Sequence, residues 1–225
     1  MRSIRRHGSV SLQARPYRSW SRRELRLCPG RRVRGAGAHG FLERLSDDVD
    51  LFTDNADPIA FSEAVDEVAA AYRAADLTVE VEKSGGVFAR FAVADEQGHT
   101  AKVELGCDWR ARPPAVLEIG PVLHPDDAVA NKVTTLFGRA APRDYLDVNA
   151  ALASGQYSGD RLLELASEHD AGFDPRYFAQ ALRAVDRWPD REYEAYGVDG
   201  GQVEAMRRRL RAWAAEILDE RIDER

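Results

Sequence analysis

The chain predicts an α+β fold: a sheet with helices in the N-terminal half, then an all-helical C-terminal half. Three observations carry this. Residues 77–105 alternate apolar with polar side chains in short runs separated by Gly- and Asp-containing turns. From Pro125 onward the apolar residues recur every three to four positions instead. Hydrophobic residues make up 44% of 225, enough core for one large domain or two small ones.

Taken in order, Phe61 to Ala75 reads as a helix, with Phe61, Val65, Val68 and Tyr72 on one face and Pro58 and Ser62 at its start. Leu77–Val81 alternates as a strand, Gly85-Gly86 turns, and Val87–Val93 is a second strand. After the turn Asp95–Gly98, Thr100–Leu105 is a third strand, with Lys102 and Glu104 on one face and Val103 and Leu105 on the other. These three read as a small antiparallel sheet carrying a helix. Helices follow over 126–136, with acids in the first turn, and over 143–152, 158–169, 175–185 and 200–225. In the last, Val203, Met206, Leu210, Trp213 and Ile217 form a stripe that reads as core. Trp109, Trp188 and Trp213 are expected to pack, and the scattered histidines show no metal-ligand spacing.

The net charge of −6 conceals an asymmetry. Residues 1–37 hold eleven Arg against Glu24 alone, a local +10, so residues 38–225 carry −16. The basic segment has no helical or strand period, and it is expected to be disordered. It is compatible with a targeting peptide, an RNA-contacting arm or a solvated tail. The abrupt onset of patterned sequence near Gly35–Gly40 favours a fourth reading, upstream or out-of-frame sequence translated from a wrong start. The expected division is therefore 1–37, an α/β core over 38–124 and a helical domain over 125–225. No apolar run of 18 residues occurs, so no membrane span is expected. Cys28 and Cys107 build neither a disulfide framework nor a zinc site, which fits a reducing cytoplasm.

The stretch Ser46-Asp47-Asp48-Val49-Asp50-Leu51-Phe52 carries the chemistry. Asp48 and Asp50 lie two apart and share a strand face. Carboxylates so placed repel unless a cation lies between them, and Mg²⁺ takes such oxygens while keeping positions open for phosphates. The competing reading is a solvated acidic turn. Glu104, on the face it shares with Lys102, is the better candidate for a third carboxylate, ahead of Asp108; three acids would suit two-metal chemistry. In the helices, Lys132 and Arg139 are seven apart on one face. Lys132 is one of three lysines among 29 arginines, and its ammonium suits a triphosphate oxygen. An ordinary exposed lysine is the alternative. Arg143 and Asp147 are spaced to pair on the helix surface; the functional alternative sends Asp147 or Asp144 into a cleft as base or metal ligand.

In this order, the Ser46-x-Asp48-Val49-Asp50 block, Lys132 with Arg139, and Arg143-Asp144-x-x-Asp147 resemble the AbiEii/AbiGii nucleotidyltransferase toxin family over about residues 38–185. The resemblance implies a nucleotidyltransferase-type α/β core, a mixed sheet with helices, followed by an all-helical domain. It implies Mg²⁺, a nucleoside triphosphate, a tRNA or other RNA or protein acceptor, and a cognate antitoxin. By carry-over Asp48 and Asp50 hold metal, and Lys132 binds triphosphate. Asp147 acts near the attacking hydroxyl, and Ser46, Arg139, Arg143 and Asp144 contact substrate. One departure stands out. The family places a Gly-Gly or Gly-Ser pair about a dozen residues before its Asp-x-Asp, where backbone N–H groups cradle phosphate. Here that window reads Arg32-Val33-Arg34-Gly35-Ala36-Gly37. A catalytically impaired relative that binds nucleotide, RNA or an antitoxin is the alternative function, and a hydrolase using the same carboxylates is a third.

Overall fold

The computed structural model describes residues 28–30, 48–117 and 120–223. Ser46 and the Arg32–Gly37 window lie outside the described residues. Of those described, 28–30, 48–109, 114–117 and 120–123 form one compact unit; 110–113 and 124–223 form another.

The first unit is a five-stranded sheet backed by one helix. Its strands are β1 (Cys28–Gly30), β2 (Asp48–Thr53), β3 (Thr78–Gly85), β4 (Phe88–Ala94) and β5 (Thr100–Cys107), ordered β1-β2-β5-β4-β3. β3, β4 and β5 form the expected antiparallel meander. β2 joins it parallel to β5, which makes the sheet mixed. β1 pairs antiparallel with β2, so three residues of the basic stretch belong to the sheet. Such a segment shows no period because it is held by backbone pairing and contains Pro29 and Gly30.

Alternation sorts the sheet into two faces. Val49, Leu51, Ala89, Phe91, Val93, Val103 and Leu105 are all buried on one side. Against them lies α1 (Pro58–Ala74), which buries Phe61, Ala64, Val65, Val68, Ala69 and Tyr72. Each fully buried large side chain of this kind is worth about 1.5–3 kcal/mol. Asp57 caps α1 by accepting from the Ile59 N–H at 2.9 Å, with Pro58 in the first turn where its missing N–H costs nothing. Burial pushes the Tyr72 phenol well above its usual range. A two-stranded ribbon, β6 (Ala115–Leu117) with β7 (Gly120–Val122), completes the unit.

The second unit is helical: α2 (Pro125–Arg139), α3 (Pro142–Ala153), α4 (Gly159–His169), α5 (Pro175–Arg183) with a 3-10 turn over Ala184–Arg187, α6 (Asp190–Glu194) and α7 (Gly200–Asp223). The α7 stripe Val203, Met206, Leu210, Trp213 and Ile217 is buried as expected. Phe178 is its centre, edge-on to Trp213 and tilted against Phe173, each at 5.3 Å between ring centroids. Ser158 caps α4 through the Arg161 N–H at 3.1 Å. Gly159 is required there, since a Cβ at that position would sit 2.3 Å from the Trp213 indole nitrogen. Trp109, expected to pack, follows the end of β5 in a connecting segment and is 54% exposed. Among the described residues no helix is long and apolar enough to cross a membrane.

Candidate functional site

The sheet face opposite α1 is polar, and its order is set by strand register. Asp48 is aligned with Lys102, and Asp50 with Glu104, across the parallel β2–β5 pair. Glu104 is aligned with Arg90 on β4, and Arg90 with Lys83 on β3. Aligned residues on neighbouring strands project to the same side. A single row therefore runs Asp50, Glu104, Arg90, Lys83, from acid to base. Asp48 enters by its register position alone.

The Glu104 carboxylate is shared between two cations. It accepts from Arg90 Nε at 2.9 Å, with Arg90 Nη2 at 2.7 Å and Lys102 Nζ at 3.5 Å. Its third-carboxylate role would require exchange of those partners. Asp108 lies just past β5 and donates its N–H to the Thr53 carbonyl at 2.9 Å. Among the described residues no group of three His, Cys, Asp or Glu side chains is arranged around a common metal position. The hard oxygens of an Asp-x-Asp strand nonetheless suit Mg²⁺, which is held by one or two carboxylates and completes its shell with water and substrate phosphate.

In the helical unit the other expected residues meet across the α2–α3 hairpin. Lys132 Nζ lies 2.9 Å from Asp147 Oδ2, with the Asp147 side chain 1% exposed and that of Lys132 28% exposed. The carboxylate thus fixes an ammonium that still reaches solvent. Arg139 pairs with Asp144: Nε donates to Oδ2 at 2.9 Å and Nη2 to Oδ1. Asp144 Oδ2 also accepts from the Ala141 N–H at 3.0 Å, closing the first turn of α3. That hydrogen-bonded carboxylate holds the Arg139 guanidinium protonated beyond its ordinary range. The turn is secured from a third side, where Trp188 Nε1 donates to the carbonyl of Ala140, a residue at φ 51°. Asp144 is 2% exposed. Arg143, at the start of α3, is half-buried.

Sequence reasoning missed a second ionic group in this unit. Asp127, 1% exposed, accepts from the N–H groups of Ala111 and Arg112 at 3.2 and 3.0 Å. The Arg112 side chain reaches Asp126 at 3.1 Å and Glu168 at 2.8 Å; Tyr157 and Arg161 also bind Asp126. The signal was present as two acids opening α2, but it reads equally well as a response to the helix macrodipole. Burial, with hydrogen bonding to Asp126, pushes the Tyr157 phenol up.

A family described as nucleotidyl transferase AbiEii toxin, type IV TA system, matches residues 37–224. Among solved structures, the chain is similar to MenT4, a nucleotidyltransferase toxin from Mycobacterium tuberculosis. The TM-score is 0.60 at 18% identity, over 91% of this chain and 80% of that one. It also matches JHP933 from Helicobacter pylori at a TM-score of 0.46 and 16% identity, covering 83% and 81%. No curated protein matches. The likeness to MenT4 establishes a shared fold, and JHP933 carries no further weight.

Proposed function

We propose, because this chain belongs to the AbiEii family of nucleotidyltransferase toxins, that it transfers a nucleotide from a nucleoside triphosphate to a hydroxyl of RNA, with tRNA a prime acceptor, or of a protein. The observation that carries the reading is the acidic row of β2. The apolar side of the sheet is spent on the core, and the other side presents Asp50 in register with Glu104. Asp48 and Asp50 are the residues to hold Mg²⁺. When bound, that ion supplies Lewis-acid withdrawal of charge from the triphosphate.

The acceptor oxygen forms a bond to the α-phosphorus, the bond from that phosphorus to the bridging oxygen breaks, and pyrophosphate leaves. The acceptor's proton passes to solvent or to a neighbouring base. Lys132 offers its ammonium to a phosphate oxygen and so stabilises charge on the leaving group. Asp147, buried beneath it, supports the reading of a positioning residue that holds the ammonium in one place. Arg139 and Asp144, closed upon each other, support the reading that they set the hairpin on which Lys132 and Asp147 stand. A cognate antitoxin belongs to the same reading.

The test is transfer itself. The purified chain is incubated with Mg²⁺, each α-³²P-labelled nucleoside triphosphate in turn, and total tRNA. Label should enter RNA or protein with the wild type and be lost with Asp50→Asn at an unchanged melting temperature. Undiminished labelling by Asp50→Asn, or none from the folded wild type with any nucleotide, would sink the proposal.

A further inference from the structure

The α2–α3 hairpin turns at Ala140, a residue with a Cβ held at φ 51° and ψ 44°. An L residue is strained in that left-handed region, where Gly or Asn is usual, so something outside the turn must fix it there. The Ala140 carbonyl also lies at the end of α2, where no later turn of that helix offers it an N–H. Trp188 meets both needs, because its Nε1–H donates to that carbonyl at 2.9 Å. Resting on the transferase reading, we infer that Trp188 is a positioning residue for Lys132. It locks the turn that sets α2 against α3, and so fixes the ammonium that meets the nucleoside triphosphate.

Trp188 is itself held through its backbone. Its carbonyl accepts from Arg207 Nη2 at 2.9 Å. Arg207 stands on α7 with a side chain 14% exposed, between two acids that flank Trp188 in the chain. Nη1 lies 2.6 Å from Asp190, and Nε lies 3.5 Å from Asp186. The guanidinium also covers the Tyr193 ring, with Cζ 5.6 Å from the centroid. Tyr193 is fixed in turn, its hydroxyl donating to the Val185 carbonyl at 2.7 Å. Residues 185–193 are therefore a strut, tied on one side to α7 and on the other to the hairpin turn.

The strut is one of two anchors on α2. At the other end of the helix Asp127 accepts from the N–H groups of Ala111 and Arg112. Lys132 lies between the anchors, about 7.5 Å along the axis from Asp127. With the Trp188 tie released, a tilt of about 8° about the Asp127 end moves Lys132 by about 1 Å. The Lys132–Asp147 pair at 2.9 Å does not keep its geometry through such a shift. Misplacement by about 1 Å can cost a reaction about a hundredfold.

The experiment separates positioning from general support. Trp188→Phe keeps an aromatic ring and removes the N–H. Trp188→His restores a donor, since Nε2 is as many bonds from Cβ as the indole nitrogen. The full chain at pH 8 in Mg²⁺ is titrated with the α,β-methylene triphosphates of the four nucleosides, whose carbon bridge is not broken. Trp188→Phe should weaken binding about fivefold, and Trp188→His should recover most of the loss. In a Lys132→Met background the same Trp188→Phe change should have no effect, because the ammonium it positions is gone. Arg207→Lys, which leaves the indole in place, should weaken binding in the same Lys132-dependent way. Hydrogen exchange should quicken in Trp188→Phe at the N–H groups of Ala140 and Ala141, which bond to Leu136 and Asp144, and stay unchanged at Leu210. An equal loss in both backgrounds, wild-type affinity in Trp188→Phe, or unchanged exchange at Ala140 and Ala141 would overturn the inference. So would a folded wild type that binds none of the four analogues. Because no turnover is needed, the two readings fail separately. Lys132-dependent binding as described, without label transfer, overturns the transferase reading. Label transfer with a Trp188→Phe loss that persists in Lys132→Met overturns the positioning role alone.

Discussion

Lys132 and Asp147 meet at 2.9 Å across the α2–α3 hairpin, with the carboxylate sealed and the ammonium at the surface. The pair is asymmetric, and removal of its two halves has different consequences. Lys132→Met removes the ammonium at 2.9 Å from a carboxylate at 1% exposure and should cost about 1–3 kcal/mol in urea unfolding. Lys132→Met/Asp147→Leu removes both charges and should recover most of that loss. Transfer should stay absent in both. A double variant as unstable as the single one would mean that the buried carboxylate is held by other groups.

Asp144 serves two donors at once, the Ala141 N–H and the Arg139 guanidinium. Asp144→Ala should therefore cost about 1–3 kcal/mol, the loss of a helix-end bond and of a buried acceptor together. Asp144→Asn keeps both oxygen-side geometries in part and should cost less. Denaturant midpoints rank the two variants, and equal midpoints would remove the double role.

Gly159→Ala would ordinarily favour a helix start, but here the added methyl meets the Trp213 ring. The expected net effect is a loss of about 1–3 kcal/mol from overpacking, with a red shift in tryptophan emission. Gly159→Ala should cost less in a Trp213→Leu background than in the wild type, because the added methyl then has no indole to meet. If the single substitution raises the melting temperature, the close approach has been misread.

Stability should fall above pH 10. Burial pushes the Tyr145 phenol up to about 12 in the folded chain, from 10.0 when free. Its neutral hydroxyl donates to the Ala181 carbonyl at 2.9 Å. A group whose folded pKa is raised binds more protons folded than unfolded between the two values. Its contribution is complete below pH 10 and is lost as pH rises toward 12. Tyr193, buried and bonded to the Val185 carbonyl at 2.7 Å, shifts in the same direction. Urea unfolding at pH 9, 10.5 and 11.5, with phenolate absorbance followed in parallel, should show stability flat and then falling. Tyr145→Phe should flatten part of the fall.

What could be read in advance followed local periodicity. α1, β4, β5 and the α7 stripe each carry their pattern within one segment, and each lies where the pattern placed it. β6, β7 and α6 are three to five residues long and have no room for a period. The parallel joining of β2 to β5 has no local signal either, because it depends on a crossover through α1, β3 and β4. That register is what places Asp50 beside Glu104, while the antiparallel β4–β5 register sets Arg90 against the same Glu104 carboxylate. The helical residues behaved similarly. An i, i+4 rule links Arg143 to Asp147, whereas the hairpin supplies Lys132 from fifteen positions away. Asp144 could be read as polar and near a helix start, but its hold on Arg139 required the αL turn at Ala140.

The parallel register has a kinetic consequence. Asp50 and Glu104 are 54 positions apart, whereas β3, β4 and β5 close on one another through short turns. Loop-closure entropy delays the distant pairing, so the meander is expected to zip first and β2 to dock last. Until it docks, the acids of β2 and the cations that border them belong to separate pieces of chain. A polypeptide still emerging from the ribosome, with the β2 edge of β5 uncovered, would hold no assembled acidic row until synthesis was well advanced.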